Sequence, residues 1–525
     1  MRGFSGSMSL LRALAPALLV CSVGCAGDIP GDEKLNNKTQ ACVTADTPRL
    51  LDVNDVSVLF PFDRNTGTFS PDLPLDAFMS REVFEQVIAA SRTVNISHAD
   101  PLGSDVYENW RIVSFRFDPC SPSPTLASGT IPPELQGIIP GCIVNLRLIA
   151  QPVAVRGPGA PPLGGQANPV TTAEFPEGVK APQDFALHLV YNLGLLQGSP
   201  DTETLRNNFA PFLPLVSGLQ AIKAVSSAVG ADTDGALMGV HPGLALEQGA
   251  PTRPVSEAIS GYLISVLNPQ RLSFLAFMGV PAGRTAPWIF FNGMVTAGAD
   301  GSTSFVHLPM QGFASPLMAE TLPSLVSARG EPLSFPDLPL NPISLARIAH
   351  PATDPAEVVR VAFDIENPLL THAISLDCAS CHGVHTVKNG LPPNVPGIRN
   401  LSDLPATRFV AKPGVTAFIS TEAAPRNDWH VHNLGYLGVA PKVSERTLNE
   451  TTEVVDLTNR LLAGDGHQNP GLDCGEDRAQ LDQIYVCQQV ATMAGGVGRD
   501  DCFSPCTIRG LRNGRPANPW TPRAM

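Results

Sequence analysis

The sequence predicts an α+β protein in which a β-rich N-terminal region precedes a smaller, mainly helical and irregular C-terminal domain. Three observations lead there. In residues 111–118, Val113, Phe115 and Phe117 alternate with Ser114 and Arg116; in residues 143–149, Val144, Leu146 and Leu148 alternate with Asn145 and Arg147. A period of two is that of half-buried strands. Residues 272–280, 288–295 and 304–308 are rich in Phe and β-branched side chains and are separated by Pro-Ala-Gly and Ala-Asp-Gly, which predicts a three-strand antiparallel meander. Helical spacing of apolar residues then appears at Leu215, Leu219, Ile222 and Val229, and again at Leu448, Val455 and Leu462.

In chain order, Arg2 and Arg12 flank a charged start, residues 10–20 form a short apolar run, and Ser22-Val23-Gly24-Cys25 follows. This resembles a bacterial lipoprotein signal peptide, with a plain secretory signal as the alternative. The resemblance implies removal of residues 1–24 and a lipid on Cys25, whose several acyl chains would anchor the protein to a membrane. Ala26 follows Cys25 where an inner-membrane retention signal would have Asp, so the expected location is the outer membrane, facing periplasm or cell surface. Residues 25–49 read as a lipidated, flexible tether rich in polar residues and glycine.

The β-rich mixed domain is expected over 50–335, with a further strand around Phe185, Leu187 and Leu189, a Pro/Gly-rich loop at 157–165 and a helix ended by Gly230. Four prolines in 332–342 suggest the boundary. A second domain follows over 336–464, closed by a helix that Ser444 can cap, and residues 465–525 form a Cys-rich C-terminal segment.

With 525 residues, 43% hydrophobic and 16% charged, the chain has apolar material for more than one core. Its net charge of −13 argues against nucleic acid as a partner. No G-x-S-x-G, P-loop, H-E-x-x-H or dinucleotide fingerprint occurs.

The chemistry concentrates at Cys378-Ala379-Ser380-Cys381-His382. This CxxCH spacing lets two thiols add to the vinyl groups of one haem while the imidazole that follows ligates its iron. From this chain's own Cys and His frequencies, about 0.005 such matches are expected by chance. The rival readings are a Cys378–Cys381 disulfide or half of a zinc site. Zinc would need a second ligand pair, and Cys502 and Cys506 have three intervening residues and lie far downstream. At this motif the chain resembles the c-type cytochromes. The resemblance implies one covalent haem c, held by Cys378 and Cys381, with His382 as the proximal axial ligand. For the sixth ligand the sequence offers His430, His432 and Met493. His385 is too near His382 on the same helix to reach the other face, and His98, His188, His241, His307, His350, His372 and His467 receive no function.

Setting aside Cys21, Cys25, Cys378 and Cys381 leaves seven of the 11 cysteines, a usage that suits an oxidising compartment and disulfides whose pairing sequence does not reveal. The expectation is therefore a membrane-anchored, exported haem c protein that transfers single electrons, with a protein redox partner. The alternatives are a haem enzyme of peroxidase or oxidase type, or a surface binding protein with an accessory haem.

Overall fold

A computed structural model of the chain describes residues 50–94, 96, 98, 103–121, 142–155, 178–196, 202–279, 288–298, 302–308, 320–321, 362–368, 378, 380–384 and 432–463. These residues belong to one compact unit and mix helix with antiparallel sheet, an α+β architecture.

The frame is a nine-stranded sheet whose main path runs in sequence order: β1 (Ser57–Leu59), β2 (Trp110–Ser121), β3 (Cys142–Val155), β4 (Ala186–Leu196), β5 (Leu272–Gly279), β6 (Ile289–Ala297) and β7 (Thr303–Leu308). Every neighbouring pair along this path is antiparallel. The meander expected over the last three strands is present, and the alternating segments near 111 and 143 are neighbouring strands.

Pleating sorts each strand's side chains onto two faces. One register row joins Phe115, Leu148, Leu189 and Leu275, all fully buried. Helices cover this face: α1 (Arg81–Thr93) meets it where Phe84 packs on Trp110, and α3 (Pro254–Val266) where Tyr262 meets Phe115. Between them in sequence lies α2 (Leu213–Ala228), begun by Pro214 and followed by Gly230 at φ 87°, where a left-handed conformation favours glycine. Helical residues Arg206–Ala228 are long and apolar enough to cross a membrane by length and composition, and Val216, Leu219 and Ile222 within them are buried in the core. Burying each such large side chain contributes about 1.5–3 kcal/mol.

The adjacent register row belongs to the other face and carries Arg116, Arg147, Val190, Phe274 and Met294. Residues from the C-terminal part cover it. The hairpin β8 (Leu434–Leu437) and β9 (Ala440–Val443) docks where Ser114 donates to the Leu434 carbonyl at 2.8 Å and Gln151 bonds both the amide and the carbonyl of Tyr436, at 2.7 and 2.8 Å. The helix α4 (Glu445–Ala463) follows, and Ser444 caps it by accepting the Thr447 amide at 3.2 Å.

The polar side of α4 is enclosed as well as its apolar side, which amphipathic spacing does not announce. Several of its polar groups have buried partners: Asn459 exchanges two hydrogen bonds with the backbone of Leu51, Asn449 donates to the Glu366 carbonyl, and Thr451 meets Ser57. The prolines at 332–342 lie outside the described residues, and the described residues before and after them pack together through these contacts.

Candidate functional site

Residues 380–384 are helical, as is Cys378. A helical turn brings positions three and four apart onto one side, so Cys378, Cys381 and His382 share a side. All three line one partly open cavity between the motif and the second face of the sheet. The lining is largely apolar and includes Ile149, Ala276, Met278, Phe290 and Leu434.

Both motif cysteines carry thiols, and Asn433 donates to the Cys381 Sγ at 3.3 Å. The His382 ring sits against aromatic walls, 5.1 Å from the Phe290 ring centre and 5.6 Å from that of Trp288, perpendicular to the indole. Trp288 is fully buried immediately before β6, which gives this imidazole a rigid support.

His432 packs against the same indole, with ring centres 4.8 Å apart, and also lines the cavity. Its Nε2 stands 3.0 Å from the Asp184 Oδ1, both side chains being buried. A carboxylate on Nε2 engages that nitrogen, so His432 ties the segment ahead of β8 to the approach of β4.

One end of the cavity is charged. Arg116 and Arg147, neighbours across β2 and β3, meet Glu450 of α4 at 2.5 and 3.4 Å, and Arg147 also meets Asp118 at 2.8 Å. Burial pushes the Arg116 guanidinium below its ordinary range, and Glu450 opposes that shift. Two guanidiniums and two carboxylates sum to zero, so the network is held without net charge.

A histidine with no role in the sequence reading also faces this space. In β4, His188 pairs with Ile149 on one side and Ala276 on the other, and these three form the cavity floor, each keeping accessible surface inside the fold. Its ring makes no hydrogen bond to the described residues. Burial, with the Arg147 guanidinium adding to it, pushes its pKa down to about 3, so the imidazole is neutral at physiological pH. A signal for it existed in the sequence. Leu187 and Leu189 define the core face of β4, and parity places His188 on the opposite face, with Arg147 and Ile149 of β3.

Cys378, Cys381, His382 and His432 therefore come together, while His430, Met493 and Cys25 lie outside the described residues. Among the described residues, no group of three or more His, Cys, Asp or Glu side chains is placed to hold a metal ion. The chain matches no protein-family model, no curated protein and no solved structure.

Proposed function

We propose that this protein is an exported haem c protein, anchored to the outer membrane through Cys25, that carries single electrons to or from a protein partner. The observation behind this reading is the convergence of Cys378, Cys381 and His382 on one largely apolar cavity. Apolar walls suit a flat macrocycle, since they exclude water from its faces and need no polar partners there. A haem so placed supplies a reversible one-electron couple. The chain's own residues do the rest: Cys378 and Cys381 tether, His382 ligates, and Trp288 with Phe290 hold the imidazole in orientation. The haem-bearing part is residues 336–464, and it uses the sheet of residues 50–335 as its floor in place of a self-contained helical shell. That arrangement gives the large N-terminal region a role without a second activity.

The test is expression of the full chain in a host with cytochrome c maturation, followed by haem staining of the denatured protein and a pyridine haemochrome spectrum. Covalent haem, lost when His382 and both cysteines are replaced by alanine, is the expected result. A stably folded protein without covalent haem refutes the reading.

A further inference from the structure

Resting on the haem c reading, we infer that His188 is the second axial ligand of the iron, so that the site is six-coordinate with two imidazoles. Two histidines other than His382 are described around the cavity, and their surroundings differ. His432 has its Nε2 engaged by Asp184 at 3.0 Å and shares Trp288 with His382, which puts both rings at the same wall. His188 stands on the floor, its ring makes no hydrogen bond to the described residues, and its nearest strand neighbours on that face are Ile149 and Ala276.

Position on the sheet supports the same assignment. His382 packs on Phe290 of β6, whereas His188 belongs to β4, with β5 between them. Two strand spacings separate β4 from β6 by roughly 10 Å, so the strand that carries His188 and the strand on which His382 packs are not neighbours. Both His382 and His188 line this one cavity. An imidazole that lines the cavity floor and makes no hydrogen bond to the described residues is a suitable iron ligand.

Strand placement has a consequence. A ligand from the middle of a nine-stranded sheet moves little, so the iron would keep both ligands in both redox states. That favours electron transfer over binding of small molecules.

The experiment uses the full-length matured protein. Near-infrared magnetic circular dichroism of the unmutated ferric form should give the charge-transfer band of bis-imidazole ligation, and the ferrous form should not bind carbon monoxide. His188→Gly should lose the low-spin signal, gain carbon monoxide binding, and recover the low-spin spectrum when free imidazole is added; His432→Ala should stay low-spin. A thioether or high-spin spectrum in the unmutated protein, or an unchanged spectrum in His188→Gly, overturns the assignment while leaving the covalent haem intact. A pyridine haemochrome on each sample separates the two failures, because absence of covalent haem in the unmutated protein overturns the underlying reading itself.

Discussion

Glu450 is the residue whose loss the fold should feel most, because it closes a buried charge network from a helix remote in sequence. It contacts Arg116 at 2.5 Å and Arg147 at 3.4 Å, and all three side chains are at most 7% exposed. Glu450→Gln keeps the shape and one acceptor but changes the network from two positive and two negative charges to two positive and one negative. Arg147 keeps Asp118 at 2.8 Å. Arg116 is left with the neutral acceptors Ser57 Oγ, Thr447 O and Thr451 Oγ1. A buried ion deprived of its counter-charge costs about 3–5 kcal/mol. For a folded unit of this size, at roughly 1–2 °C per kcal/mol, that corresponds to a fall in Tm of about 5 °C. Differential scanning calorimetry of the purified variant measures it directly. Replacing the pair together, as Arg116→Met with Glu450→Met, removes both charges and should restore most of the loss, since apolar substitutes for a buried pair are often neutral. If Glu450→Gln melts within about 1 °C of the parent, or the double variant is as unstable as the single one, then a buried, mutually compensating network is the wrong description.

Two further substitutions test the core. His241 is fully buried, caps the short helix Pro242–Leu246 through Nδ1, and has its pKa pushed down by burial to about 4. The folded state therefore stays neutral while the unfolded chain takes up a proton below pH ~6.5, so stability is complete above that pH and falls by up to about 1.4 kcal/mol per pH unit on acidification toward pH 4. His241→Asn keeps a capping acceptor without titrating, and melting curves between pH 7 and pH 4 should show a shallower fall than the parent; parallel curves would refute the assignment. Gly218 lies inside α2 where a Cβ would stand 2.5 Å from two ring carbons of Tyr262 on α3. Gly218→Ala gains about 1 kcal/mol of helix propensity but overpacks the helix crossing by about 1–3 kcal/mol, so Tm should fall, and a rise in Tm would contradict the close approach.

The strands were legible because their alternation is a local property of the sequence. Residues 113–117 and 144–148 alternate apolar and polar side chains, and the turn residues between residues 272 and 308 punctuate the meander. Ser444 could be read as a cap for the same reason: a hydroxyl three residues before a helical amide acts over a few ångströms of chain. What the sequence did not convey is long-range pairing. The polar residues of α4 look like a solvated face, yet Glu450 and Asn459 find partners 334 and 408 residues away, and nothing local distinguishes an asparagine destined for water from one destined for the Leu51 backbone.

The site follows the same division. Cys378, Cys381 and His382 announce themselves because a single helical turn fixes their spacing. The other side of the cavity is built from strands, where what a residue faces depends on parity and on which strands become neighbours. Parity was available: with Leu187 and Leu189 assigned to the core, His188 had to point away from it. Neighbourhood was not, because opposition of β4 to a motif nearly 200 positions downstream arises only when residues 380–384 and the segment from His432 close over the sheet. His432 stands about 50 residues beyond the motif, a separation that allows a loop to return over it, and the fold brings it to the cavity with its Nε2 engaged by Asp184. Histidines in such a protein are therefore better ranked by the face of the element that carries them, and by the hydrogen bonds their rings already make, than by distance along the chain. By that criterion His188 precedes His432.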